Sequence, residues 1–253
     1  MILPKKLKLL RNRAFYKCNS LKDLSFGGNE LTYIGSEVFA HTAIEKLELP
    51  DNLKSIQNDS LSEMNNLKEL YLSNNISPLP FGVLYGLNNL ISLSLKSTDS
   101  RGVNPPRTSS SLAVLFSSNG EIEDQAIPQS LKKVTLRNTS SLSRDTFKAM
   151  TNLTSIVVAN NVSEIGTEVF SDCKKLQELE IPFLGQTETD ADNCFLGYLF
   201  GATDASYNVQ DVPRSLRTVK IFKGKLNEDS FLSCRDLAIV HLPANTATPK
   251  KIF

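Results

Sequence analysis

One spacing governs what this chain can fold into. The pattern Leu-x-x-Leu-x-Leu, in which Ile, Val or Phe can stand for Leu, occurs at Leu21-Leu24-Phe26, Ile44-Leu47-Leu49, Leu67-Leu70-Leu72 and Leu90-Leu93-Leu95. It resumes at Leu131-Val134-Leu136, Leu153-Ile156-Val158, Leu176-Leu179-Ile181, Leu216-Val219-Ile221 and Leu237-Val240-Leu242. First members follow one another at 23, 23, 23, 41, 22, 23, 40 and 21 residues. Within each copy the apolar residues alternate with polar ones, the period of a strand with one buried face. A single strand of this length cannot bury that face, whereas stacked copies make a parallel sheet over a continuous core. The chain therefore reads as an α/β repeat solenoid of about nine to ten repeats spanning 1–253.

Each repeat continues through a second apolar phrase, Leu31-x-x-Ile34-x-x-x-x-Phe39 or Val162-x-x-Ile165-x-x-x-x-Phe170, shortened at Leu142…Phe147 and Leu226…Phe231. This half is expected to return as turns or short helical pieces with Ile and Phe inward. Asn29, Asn52, Asn75, Asn161 and Asn245 each lie eight residues after the first Leu of their repeat. At such a corner a buried Asn can satisfy free backbone groups of adjacent coils, which is favoured over glycosylation at Asn75 and Asn161. Asn58, Asn138 and Asn152 also fit the acceptor pattern and read as exposed.

The two long intervals carry insertions at 96–130 and 183–215 that resemble one another. "SLAVLF" (111–116) before "IPQSLKKVTL" (127–136) matches "FLGYLF" (195–200) before "VPRSLRTVKI" (212–221). Each apolar segment predicts about two helical turns, with Ser109 to Ser111, and Asp192 or Asn193, as N-caps and Gly201 as a C-terminal stop. The stretches 97–110 and 185–193 read as flexible loops. Both inserts are elaborated repeats on this reading, not separate domains.

Nothing in the sequence assembles into catalytic chemistry. His41 and His241 are some nine coils apart and cannot share a metal or form a dyad; His41 reads as solvated. "TETDAD" (187–192) lacks the spacing of a calcium loop, and "FGGNEL" (26–31) lacks the Lys of a phosphate loop, leaving Gly27 and Gly28 as turn residues. No cofactor is implied. Lys+Arg 28 against Asp+Glu 27 leaves a net charge of +1, so no overall field favours nucleic acid. No apolar run is long enough for a transmembrane segment, and "MILPKKLKLLRNRAF" lacks the pattern of a secretory signal.

The phrase Leu-x-x-Leu-x-Leu-Pro-x-x-Leu-x-x-Ile-x-x-x-x-Phe-x-x-Cys, clearest in "IEKLELPDNLKSI" (44–56) and "LTSIVVANNVSEIGTEVFSDC" (153–173), resembles the BspA-like, Treponema-type class of leucine-rich repeats. That resemblance implies a leucine-rich-repeat horseshoe with a parallel β-sheet on the concave face and turns or short helices on the convex face. It also implies an extracellular or cell-surface protein concerned with adhesion or host recognition; a cytoplasmic location is the alternative. Both ends fall mid-repeat without polar capping repeats, which reads as a fragment of a longer protein.

The residues flanking the inner Leu of each strand should project together from the sheet. Two columns result, Asp23, Lys46, Glu69, Ser92, Lys133, Ser155, Glu178, Thr218, Ile239 and Ser25, Glu48, Tyr71, Ser94, Thr135, Val157, Glu180, Lys220, His241. Lys46, Glu48, Glu69, Tyr71, Lys133, Thr135, Glu178, Glu180, Lys220, Phe222 and His241 are the candidate ligand-binding residues, with Tyr71 and Phe222 as exposed aromatic anchors. The function expected is a non-enzymatic module binding a protein or glycan; the alternative is a structural spacer that self-associates. Finally, Phe-x-x-Cys recurs at Cys18, Cys173 and Cys234. These share a column with Thr42, Met64, Gly86 and Met150, a series that suits apolar packing and not a metal or redox site. Cys194 lies outside it.

Overall fold

The computed structural model describes residues 1–73, 75–76, 79–80, 82–95, 111–118, 121 and 125–243, Val209 by its backbone alone. Asn245 and the loop expected at 97–110 lie outside them. Packing divides the chain into two compact units, Met1–Lys132 and Lys133–Phe253.

In the first unit the strands are β1 (Ile2–Leu3), β2 (Leu9–Leu10), β3 (Ser25–Phe26), β4 (Tyr33–Ile34), β5 (Lys46–Glu48), β6 (Ser55–Ile56), β7 (Glu69–Tyr71) and β8 (Ser92–Leu95). β5, β7 and β8 run parallel, with Leu47 opposite Leu70 and Leu70 opposite Leu93. All three leucines are fully buried, each worth about 1.5–3 kcal/mol in apolar area removed from water. β1 pairs with β3 so that Leu3 meets Phe26, the third member of the Leu21-Leu24-Phe26 phrase.

In the second unit β9 (Lys133–Leu136), β11 (Ser155–Val158), β13 (Glu178–Ile181), β14 (Thr218–Ile221) and β15 (Ile239–His241) form a parallel ladder, while β10 (Ser141–Leu142) pairs with β12 (Glu164–Ile165). The inner residues of the first four ladder strands, Val134, Ile156, Leu179 and Val219, are fully buried, whereas Val240 of β15 is half-buried. Each unit is thus a parallel-strand β-solenoid with little helix.

The return half of each coil does more than turn. Ile34 stands opposite Leu10 and Ile56 in a β2-β4-β6 sheet, and Leu142 stands opposite Ile165. Its Phe residues then meet coil on coil: Phe15 stacks on Phe39 at 5.9 Å, and Phe170 lies 5.2 Å from Phe147 and 5.9 Å from Phe200. Around them the backbone swings into the left-handed region at fixed places. Arg13, Glu37, Gly82 and Glu168 do so two residues before the Phe position; Lys17, His41, Glu63, Gly86, Ala149 and Ser233 do so two residues after it. The alternation turns successive N–H groups toward the next coil: those of Arg13, Phe15 and Lys17 donate to Ser36, Val38 and Ala40 carbonyls, each at 2.9 Å. A left-handed non-glycine residue costs about 1–2 kcal/mol, and the ladder offsets that with bonds worth about 0.5–1.5 kcal/mol each.

The inserts replace this turn. A 3-10 helix at Leu112–Leu115 accepts N–H bonds from Gly82 and Leu84, and one at Leu196–Phe200 accepts them from Glu168 and Phe170. Ser111 caps the first by accepting from the Ala113 N–H, and Gly201, at φ 106°, stops the second. Asp192 and Asn193 do not cap it; the N-cap is Phe195, without a side-chain bond. Nor is 185–193 held only by its ends. Asp190 accepts the backbone N–H groups of Gln186, Asp192 and Asn193 at 3.0–3.1 Å, fixing the loop from within. In the shared Pro-x-Ser-Leu phrase, Ser130 donates to the Asn88 and Leu90 carbonyls, and Ser215 to those of Lys174 and Leu176.

Candidate functional site

The outward positions of the strands gather into two clusters, one in each unit. On β5 and β7, Lys46 Nζ lies 2.9 Å from Glu48 Oε1, 3.9 Å from Glu69 Oε2 and 5.2 Å above the Tyr71 ring. The register that sets Lys46 opposite Glu69 and Glu48 opposite Tyr71 creates this four-residue group. Its hydrogen bond to Glu48, and then the carboxylate charge, raise the Lys46 pKa. On β13 and β14, Glu180 stands opposite Lys220, whose ammonium lies 3.0 Å from the carboxylate and 5.0 Å above Phe222. Tyr71 and Phe222 are half-buried under these lysines, not fully exposed as the sequence suggested. Such cation–ring pairs contribute about 0.5–1 kcal/mol at accessible sites; they also hold both partners in one geometry.

Lys133, Thr135, Glu178 and His241 occupy outward positions of their strands but join neither cluster. Elsewhere the columns are interrupted: Ser94 is 4% exposed, so its side chain is closed off from solvent. The asparagine column does bridge coils: the Asn52 side chain donates to the Asn29 carbonyl at 2.6 Å and that of Asn161 to the Thr139 carbonyl at 3.0 Å. The bonds are made at the surface, however, because Asn29, Asn52, Asn75 and Asn161 are all exposed. Asn58 and Asn138 are exposed too, and Asn152 is half-buried. His41 is half-buried, its ring 5.5 Å from Tyr16 and edge-on to it.

Three features escaped the sequence reading. Asn208, within the second insert, is fully buried; its Oδ1 accepts the Gly197 N–H at 2.6 Å and its Nδ2 donates to the Leu232 carbonyl at 3.0 Å. A Cβ on Gly197 would stand 2.3 Å from that Oδ1, which is why glycine sits there. Beside Asn208 opens a cavity of about 330 Å³ with Arg214, Cys234, Arg235 and Asp236 in its wall. Arg217 braces it by donating to the Arg214 and Asp236 carbonyls at 2.8 and 2.7 Å. The local sequence, Ala205-Ser206-Tyr207-Asn208-Val209-Gln210-Asp211, is mostly polar and gave no sign of the burial.

The cysteine column needs two corrections. Cys173 and Cys234 are buried, but Cys18 is exposed, because Leu21, Leu24 and Phe26 of its coil are themselves only half-buried and offer no core to enter. In the coil of Gly86 the packed position is Leu87, fully buried, while Gly86 supplies the left-handed turn before it. Burial pushes the Cys234 thiol up to about 12 and raises those of Cys173 and Cys194 as well. Among the described residues, no group of three or more His, Cys, Asp or Glu side chains is placed to hold a metal ion, and no helix is long and apolar enough to cross a membrane.

With the geometry in place, comparison with known proteins bears on the fold. Residues 1–101 and 115–211 match the family described as BspA type leucine rich repeat region, in six copies. A chain of the Drosophila Toll–Spatzle complex aligns over 98% of this chain and 32% of its own length, at 18% identity and a TM-score of 0.58. An internalin of Listeria monocytogenes aligns over 99% of this chain and 69% of its own, at 17% identity and a TM-score of 0.53. A leucine-rich repeat protein from Bacteroides ovatus aligns over 98% at 18% identity with a TM-score of 0.37, and this chain spans about half of it (56%). At these identities the likeness is one of fold. No curated protein matches the chain.

Proposed function

Because this chain belongs to the BspA-type leucine-rich repeat family, whose repeats commonly serve as protein-interaction modules and generally as non-enzymatic scaffolds, we propose that it binds a protein or glycan ligand through its strand faces. The observation that carries this reading is the pair of clusters, Lys46–Glu48–Glu69–Tyr71 and Glu180–Lys220–Phe222. Each sets charges around an aromatic ring on strands whose inner residues are fully buried. Side chains already held in place lose little freedom on binding, so more of the interaction energy is retained as affinity. Aromatic rings ringed by polar groups are also the composition of interface anchors.

One solved structure of similar fold is that of the Drosophila Toll–Spatzle complex, a protein–protein assembly. For this chain the ligand is proposed to be met outside the cell or at its surface, in adhesion or host recognition. The test is capture on arrayed glycans and extracellular-matrix proteins, comparing the native chain with the double variant Tyr71→Ala, Glu48→Lys. A loss of capture of about tenfold, equivalent to about 1.4 kcal/mol, with an unchanged circular dichroism melt is the expected result. Unchanged capture by that variant, together with loss on deleting the inserts, would place binding away from the strand face and refute the assignment.

A further inference from the structure

The near-neutral charge of the whole chain conceals an extreme local imbalance. Residues 1–22 contain Lys5, Lys6, Lys8, Arg11, Arg13, Lys17 and Lys22 with no Asp or Glu. All seven side chains are exposed. Arg13 pairs with Glu37, and Lys17 lies over the Tyr16 ring. Lys5, Lys6, Lys8 and Arg11, four cations in seven residues, have no carboxylate partner among the described residues.

The backbone that carries them is built to be rigid. Gly27 and Gly28 of the next coil lie against it so closely that a Cβ would stand 2.4 Å from the Leu3 carbonyl oxygen and 2.3 Å from that of Lys5. Thr32 donates to the Lys8 carbonyl from its N–H at 2.8 Å and from its hydroxyl at 3.2 Å. Gly35 packs on Asn12, where a Cβ would stand 2.3 Å from Oδ1, and the Ser36 N–H donates to that oxygen at 3.1 Å. The segment is thus pinned along its inner side by glycines and hydrogen bonds, while its cations extend to solvent in fixed order. The paired glycines of "FGGNEL" serve this close approach.

From this geometry we infer a second interaction surface: the cationic segment Lys5–Arg11 docks a linear sulfated polysaccharide. The four charges follow one coil over six residue steps, Lys5 to Arg11, so they trace a line of at most about 20 Å. A flexible chain of regularly spaced anions can follow that line around the coil, whereas a flat membrane would meet one side of it. Lysines predominate, and their point charges suit sulfates presented in many orientations better than one fixed bidentate geometry. Single-stranded nucleic acid fits less well, since it binds by stacking bases on free aromatic faces. Here Tyr16 has Arg13 at 5.3 Å, Lys17 at 5.2 Å and His41 on its edge.

Heparin binding by the full chain, measured by fluorescence anisotropy over a range of salt, tests the inference. The variant Lys5→Gln, Lys6→Gln, Lys8→Gln should weaken binding at least tenfold at low salt. It should also flatten the dependence of log affinity on log salt by roughly two to three, at roughly 0.7–0.9 for each cation removed. The control Lys174→Gln, Lys175→Gln, Lys225→Gln removes equal charge elsewhere and should leave affinity within twofold. Equal losses in both variants would show a response to net charge and overturn the site. Tighter binding to phosphatidylserine vesicles or to single-stranded DNA than to heparin at the same salt would overturn the ligand class.

Discussion

Cys18 and Cys173 hold equivalent places in the repeat yet meet opposite environments, and the difference lies in how far the neighbouring leucines are covered. A thiol-reactive maleimide at pH 8 should therefore label Cys18 within minutes. Cys173, Cys194 and Cys234 should react only on unfolding; prompt modification of any of these three would contradict their burial. The same burial links stability to pH. Cys234 remains a neutral thiol in the folded chain up to about 12, against an ordinary value of 9. Its contribution is full below pH 9 and declines as pH rises toward 12, because only the unfolded chain releases the proton. The slope approaches about 1.4 kcal/mol per pH unit for one such thiol. The Phe-x-x-Cys spacing was legible as a repeat marker, but burial at each copy depends on residues some 23 positions away.

Between elements, the most consequential interactions are made by short polar side chains that close one coil onto the next. Ser130 and Ser215 recur in the Pro-x-Ser-Leu phrase that ends each insert, and each hydroxyl reaches two carbonyls of the preceding coil. Replacing Ser215 with Ala removes the donor and leaves the Leu176 carbonyl short of a partner at 2.8 Å. A loss of about 1–2 kcal/mol in urea unfolding is expected, and Ser130→Ala should behave alike; a variant as stable as the native chain would deny these hydroxyls a structural part. The sequence marked the phrase as shared without disclosing its bond. The return half was read as turns or short helices, yet two-residue strands line it. Strands that short carry no periodicity of their own, and they form because N–H groups at their ends reach the neighbouring coil, Thr32 to the Lys8 carbonyl, Gly35 to that of Leu10 and Gln57 to that of Ile34.

For the whole molecule, a solenoid's stability is close to a sum of coil and nearest-neighbour terms, so cooperativity is not assured by fold alone. The repeat spacing treats 1–253 as a single array, while packing distinguishes Met1–Lys132 from Lys133–Phe253. We propose that the array unfolds as one. Calorimetry of the full chain should then give a single transition with equal calorimetric and van't Hoff enthalpies. Two resolved transitions would make the units independent.

The amino-acid sequence by itself determined the solenoid and its parallel register. Alternating apolar residues at a spacing near 23 can bury their inner face in essentially one way, by stacking coil on coil. It also named the outward columns that supply every member of the two clusters except Phe222, which lies just past β14. Only the tertiary structure decided which of those residues meet: that Lys46 gathers Glu48, Glu69 and Tyr71, that Lys220 takes Glu180 and Phe222, and that Ser94 is closed off. It likewise decided that Asn208 is buried and that Cys18 is not. The reason is physical: alternation along a strand is a local property of the chain, whereas pairing and burial depend on what the adjacent coil, one period or more away, brings within a few ångströms.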